Sequence, residues 1–506
     1  MAIVPLRSLP GIQRDGTEFD RKAYVDGLWC RFQRGLPRKI GGYRAVTNQL
    51  PQIVYGLHSF SVNAQQYVHL GSASLLGQRI IDNDGIQTAF NDRTPGGLVA
   101  SAENIWQFDA IYDVNEADTV LVAHAAPNMD IDSDDAQPIW YGVLTAAGLL
   151  VDTTMQPVSG GLFAVGNYVV SFGSGGYVQW NDIPNNVTGG TDEDNVTQQK
   201  IVRGLPVRGG GVPAGLLWSL DQLLIMALNP SGTPTWDFDV IGEISIMSSR
   251  GIIEYDGVYY WPGVDRFLSY NGVIREVQNT FNANFFFDRI NMAQRQKCFA
   301  FKVPRFGEIW WCFPMDDSEE CNHAVIYNVR ENFWYDTAFT AGGRSDALYA
   351  KVYFKPFMAG VQLGGAGYTL WQHETGVDEV SGAVTEPIRS YFETNEFSMV
   401  SADEEPKDQS LSLSVIEPDF VQAGSLTLTV KGRANARAQQ IVHDPVSISE
   451  QQSLAVGVDA ENQLARPKLV AHRLMSFQFE SNEPGGNYEM GHLVGHLEPA
   501  DGRKTQ

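Results

Sequence analysis

The stretch 251–277, GIIEYDGVYYWPGVDRFLSYNGVIREV, constrains the fold more than any other part of this chain. Asp256-Gly257 and Asn271-Gly272 are dipeptides that reach positive φ cheaply and reverse a hairpin, and a third reversal spans 262–265. The pieces left over, 252–255, 258–261, 266–270 and 273–277, are short and rich in β-branched and aromatic residues. Four short strands in sequence order make an antiparallel meander, the shape of one β-propeller blade.

The same grammar recurs. Residues 162–182 give three strands around turns at Gly166-Asn167 and 173–176, and 298–339 give CFAFKV, EIWWCF, AVIYN and FWYDTAF with longer connections. An aromatic followed by Asn or Gln ends a middle strand at Trp180-Asn181, Tyr270-Asn271, Tyr327-Asn328 and Trp371-Gln372. The gaps are 90, 57 and 44 residues, the first with room for two units. Periods of about 40–50 residues belong to propellers. Tryptophan spacing alone carries no weight, since eleven scattered at random in 506 residues would fall about as often. Weaker candidates at 80–83, 139–141 and 223–228 bring the count to six or seven.

Composition then divides the chain. Trp371 is the last tryptophan, and beyond it lie separate strand signals at 388–393, 411–415, 425–430 and 473–480. SLTLTV and MSFQF alternate with period two, as in a sheet with one buried face. The expected fold is all-β. A β-propeller of six or seven blades with long loop insertions occupies 51–384, and a C-terminal β-sandwich-like domain occupies 385–499. A flexible tail follows at 500–506, 401–409 is a charged loop, and the connections 184–200 and 314–322 are free to carry partner contacts. An extended N-terminal arm, 1–50, precedes the propeller.

That arm is locally basic in an otherwise acidic chain of net charge −23. Its candidate subunit-contact residues are Arg14, Arg21, Arg31, Arg34, Arg38 and Lys39. These cations have two destinations, acidic surface of the same chain or a neighbouring copy. The overall acidity argues against wrapping nucleic acid, which takes Lys and Arg in excess. It is compatible with a surface past which DNA slides without sticking. Four cysteines without CxxC spacing read as free thiols in a reducing compartment. No signal peptide or apolar stretch of spanning length is expected.

Motifs for chemistry are lacking. The sequence has no GxxxxGK[ST], no HExxH and no nucleophile elbow in a strand-to-helix setting, and its glycine runs at 209–211 and 364–367 do not follow GxGxxG. No catalytic residue and no cofactor are expected. His492 and His496 would lie on one face of a strand but about 13 Å apart, too far to share a metal. Asp130, Asp132 and Asp134 open a calcium-loop pattern, which Asp135 and Tyr141 break at the glycine and bidentate-glutamate positions. The same region, 133–140, resembles one defective copy of the Asp-box of sialidase propellers.

The N-terminal stretch DGTEFDRKAYVDGLWCRFQRGLPRKIGGYRAV (15–46) resembles structural proteins of tailed bacteriophages, as do RSYFETNEFSM, LTLTVKGRANAR and FQFESNEPGGNYEMGHL near the C-terminus. With a central propeller, the chain is similar to the tail nozzle, or tail hub, proteins of short-tailed, podovirus-type phages. The resemblance implies a non-enzymatic virion protein, assembled in the host cytoplasm into a homo-oligomeric ring, a hexamer. Such a ring extends the DNA channel below the portal and adaptor, docks fibres or tailspikes, and meets DNA only in passage. The alternatives are a propeller glycosidase or glycan-binding receptor protein of a virion, and a generic scaffold, against which the missing WD-repeat signature speaks.

Overall fold

The computed structural model describes all residues except 1, 47–48, 63–64, 83–85, 129, 233, 341, 351–353, 362–366, 399–409, 449–469 and 501–506. The expected loop at 401–409, most of the glycine run at 364–367, Asn83 of the weak unit at 80–83 and nearly all of the tail at 500–506 lie outside the described residues.

Residues 251–277 form a four-stranded antiparallel sheet of Ile253–Tyr255, Val258–Pro262, Phe267–Tyr270 and Ile274–Glu276. Asp256 and Gly257 take φ of 50° and 83°, and Tyr255 pairs directly with Val258, giving the two-residue hairpin their chemistry favours. The next hairpin departs from expectation. Tyr270 pairs with Ile274, so Asn271, Gly272 and Val273 all lie in a three-residue loop whose left-handed position is Gly272 at 101°. Val273 is consequently exposed.

This sheet is the fifth of a series. Four-stranded meanders occupy Val54–Val62 to Gln87–Asp92, Ile105–Asp113 to Val151–Asp152, Gly161–Val165 to Thr191–Asn195, and Ile201–Pro206 to Trp236–Glu243. A sixth runs from Phe299–Val303 to Phe333–Ala338. The three weak units at 80–83, 139–141 and 223–228 each mark a third strand. One expectation is corrected: 184–200 is not all connection, because Thr191–Asn195 is the outer strand of the third sheet, with Trp180 opposite Asp192. Its sequence, TDEDN, has no strand propensity, and pairing with an apolar neighbour overrides that.

The first strand of each sheet lies innermost. Apart from those of the fourth and fifth sheets, these strands pack on one another in sequence order, and Gly343–Ala350 of the seventh sheet packs on Val54–Val62 of the first. The fourth and fifth sheets join through Trp218 on Trp261, centroids 5.8 Å apart, and through the Tyr259 hydroxyl donating to Pro206 O at 2.6 Å. Burying one such ring removes roughly 150–250 Å² from water, worth about 4–6 kcal/mol before entropy. Between the first two sheets Trp106 lies against backbone: a Cβ on Gly71 would stand 2.2 Å from the indole. The architecture is all-β and propeller-like.

The seventh sheet corrects the reading of 1–50 as an extended arm. Its strands Gly343–Ala350, Lys355–Val361 and Tyr368–His373 are continued by Tyr43–Ala45, antiparallel to Tyr368–His373, and then by the hairpin Asp378–Ser381 and Val384–Pro387. The rest of the N-terminal segment enters two six-stranded sheets built with C-terminal strands. One holds Val470–His472, Ser410–Ala423, Asn487–Ala500, Leu36–Lys39 and Cys30–Gln33, with Ala2–Leu6 also on Asn487–Ala500. The other holds Asp26–Leu28, Ser390–Glu393, Leu474–Ser481, Leu426–Arg433 and Ile441–Val442, with Val446–Ile448 also on Leu426–Arg433. The period-two alternation behaves as expected: Leu426, Leu428 and Val430 are buried between half-buried neighbours.

The physical reason for this entry is apolar. Tyr24, Trp29, Cys30, Phe32 and Ile40 are all at most 3% exposed and share one core with Phe392, Phe479 and Tyr488 as well as with Trp310 and Trp371 of the propeller-like part. Trp29 is the junction. Its indole packs on Tyr43, Trp310, Phe339 and His373, its backbone N donates to Thr337 Oγ1, and its carbonyl accepts from Ser390 Oγ. It does so at φ 51°, a left-handed conformation that a bulky residue holds only where its surroundings fix it.

Candidate functional site

The six basic residues expected at a subunit contact do not make one exposed patch, and most are engaged within the chain. Arg14 forks Asp336 at 2.9 Å and reaches Asp26. Arg21 donates to Arg14 O and stands 3.6 Å from Glu18. Arg31 is 1% exposed, with Glu308 at 2.9 Å and Glu374 beside it. Burial opposes its charge, but the two carboxylates outweigh that and hold the guanidinium above its usual pKa. Arg38 bonds Gln33, and the buried Lys39 ammonium donates to Gly486 O at 2.7 Å. Arg34 alone of the six is exposed, and its backbone N donates to Glu331. Arg31 and Lys39 are therefore corrected from contact residues to interior ones, because the strands that carry them are themselves interior.

The carboxylates Asp130, Asp132 and Asp134 are exposed, and an internal cation stands among them. Lys200, 8% exposed, donates to Ser133 O at 2.5 Å, and burial lowers its pKa to about 8 although Asp134, Asp132, Asp130 and Asp135 all pull it upward. Asp130 is raised, chiefly through its hydrogen bond with Asp132. Among the described residues no group of three or more His, Cys, Asp or Glu is arranged to hold a metal. His492 is exposed, while His496 bonds Glu417 at 2.6 Å.

Two features escaped the motif search. The first is charge distribution along the chain. Residues 94–199 contain fourteen Asp or Glu and no Lys or Arg. Twelve of those acids are exposed, and they rim the second and third sheets, from Glu116 and Asp118 in a hairpin loop to Asp152 and the outer strand Asp192, Glu193 and Asp194. Cations near this region turn inward, as Arg93, Lys200 and Arg250 are buried. A count of signs along the sequence would have found this rim.

The second is a cavity of about 280 Å³ where the innermost strands converge. Six sheets line it, through Leu57, Gln107, Arg203, Ile253, Lys302 and Asp346 among others. Arg250 donates to Ser345 O and Lys297 O at 2.8 Å and stands 3.6 Å from Asp346. Lys302 pairs with Glu254 at 3.0 Å. Next to the cavity, Asp109 accepts from the backbone N of Ala110 and of Ala164, both at 2.8 Å. Burial raises the pKa of Asp109 and of Asp346, and it lowers that of Arg203. No local motif signals this cluster, because its residues come a few at a time from strands more than 40 residues apart in sequence.

All four cysteines are buried free thiols. No helix among the described residues is long and apolar enough to cross a membrane. Comparison with protein-family models finds no match to this chain, and comparison with curated proteins finds none either.

Proposed function

We propose that this chain is a virion structural protein, a tail nozzle of a short-tailed phage, without enzymatic activity. In this reading its seven sheets are seven blades of one closed propeller, and its N- and C-terminal strands form a β-sandwich beside it. Six copies form a ring below the portal and adaptor and carry fibres or tailspikes. The observation that carries the reading is the rim of residues 94–199, with its twelve exposed acids and no cation. Lining a channel, such a rim repels the phosphates of passing DNA by the Coulomb term that would otherwise bind them. The shared core of propeller-like part and sandwich supports a stiff body. The resemblance at both ends of the sequence points the same way.

Electron microscopy of the purified chain, and of virion tails, is the test. A six-fold ring is expected. Replacing Asp192, Glu193 and Asp194 by lysine should leave the ring intact but make it retain double-stranded DNA at low salt, where the wild type does not. A chain that stays monomeric at high concentration and is absent from virions overturns the reading.

A further inference from the structure

The loop between the third and fourth strands of the fifth sheet carries the only Asn-Gly dipeptide in the sequence, Asn271-Gly272. All three loop residues, Asn271, Gly272 and Val273, are exposed. Neither the Asn271 side chain nor the backbone N–H of Gly272 has a hydrogen-bond partner among the described residues. Gly272 lies at φ 101°, and a Cβ placed on it would meet nothing within 4 Å. The nitrogen that follows Asn271 is therefore uncrowded and free to approach the side-chain amide carbon. Other turns show what blocks such an approach. Gly257 gives its backbone N–H to Glu254 Oε1 at 2.8 Å, which occupies the nitrogen and sets a carboxylate against its deprotonation. Asn115, Asn186, Asn229 and Asn332 hold their side chains in hydrogen bonds, and they precede Glu116, Val187, Pro230 and Phe333, whose side chains crowd the following nitrogen.

We propose that Asn271 is a self-modification site, deamidated without an enzyme by attack of the Gly272 backbone nitrogen. The Gly272 amide loses its proton to solvent, its nitrogen bonds to Asn271 Cγ, and the Cγ–Nδ2 bond breaks to release ammonia. The two reacting groups are neighbours in one chain, so no bimolecular encounter is needed. Water then opens the succinimide ring at either carbonyl, giving aspartate or isoaspartate. Either product adds a negative charge to the hairpin. Isoaspartate also adds a methylene to the main chain of a three-residue loop, which shifts Ile274–Glu276 against Phe267–Tyr270. The site does not depend on the nozzle reading, since it needs only this hairpin.

The test ages the full folded chain at mildly alkaline and at mildly acidic pH and reads its peptides by mass spectrometry, with the urea-unfolded chain as reference. The peptide that holds Asn271 and Gly272 should gain the mass of one water less one ammonia, and gain it faster at the alkaline pH. Part of the product should accept a methyl group from an isoaspartyl methyltransferase. In Asn271→Gln the gain at this peptide should be lost, because closure would need a larger ring. This variant should melt where the wild type does, since the side chain has no partner to lose. No gain in the folded chain over a time in which the unfolded chain shows it overturns the proposal. So does a gain no larger than that at Asn115 and Asn186.

Discussion

Arg31 shows how tightly single residues are bound into this molecule. Its guanidinium lies between Glu308 and Glu374, and the hydroxyl of Tyr335 and the indole of Trp310 both donate to Glu308. Removing the cation leaves a buried carboxylate without its counter-charge, so Arg31→Ala should destabilise by about 3–5 kcal/mol, read as a fall in the midpoint of urea unfolding. His124 makes a different statement. It is fully buried, with Nε2 at 2.9 Å from Val158 O, and burial lowers its pKa to about 4. Between pH 6.5 and 4 the unfolded chain therefore binds a proton that the folded chain refuses. The stability this group contributes is complete above pH 6.5 and is lost as pH falls to about 4, a change of about 3 kcal/mol. His124→Gln should flatten the stability profile over that window, measured by chemical unfolding at several pH values.

At the scale of elements, the pattern of four-stranded sheets was legible and the contact of the seventh sheet with the first was not. Asp256-Gly257, Gly166-Asn167 and the aromatic-amide strand ends are local signals, and each lies where it was expected, on a hairpin or a third strand. Outer strands such as TDEDN were missed because what makes them strands is the neighbour they pair with. The N-terminal segment was misread for the same reason. Its cations suggested an arm, whereas Trp29, Cys30 and Phe32 give it a core, and sequence cannot show that partners such as Trp310, Phe333 and Tyr335 lie about 280–300 residues away. The cavity was invisible for a related reason: Arg203, Gln107 and Asp346 converge only through the curvature of the whole array. Deleting residues 2–45 should then do more than prevent assembly. It takes strands from both sheets built with the C-terminal strands and from the seventh sheet of the series, so the truncated chain should lose cooperative thermal unfolding and become protease-sensitive. A truncated chain that melts as sharply as the full one would refute this.

For the whole molecule, the pairing of Ala2–Leu6 with Asn487–Ala500, Ala2 opposite Leu497, carries a consequence in time. Ala2–Leu6 is synthesised about 490 residues ahead of the residues it pairs with. At about 5–20 residues per second, the ribosome leaves it without them for roughly 25–100 s. Through that interval the core around Tyr24, Trp29 and Phe32 lacks Tyr488, Met490 and Leu493, and such contacts between distant residues slow folding further. The antiparallel pairing also brings the two ends of the chain side by side. A circular permutant that begins at residue 49 and carries residues 1–48 after 506 turns this longest-range closure into a local hairpin. It should refold faster than the natural order after dilution from denaturant, with an unchanged native spectrum, while equal refolding rates would mean that another step limits closure. The order of the sequence is thus a delay line, holding this joint open until the strand Asn487–Ala500 leaves the ribosome.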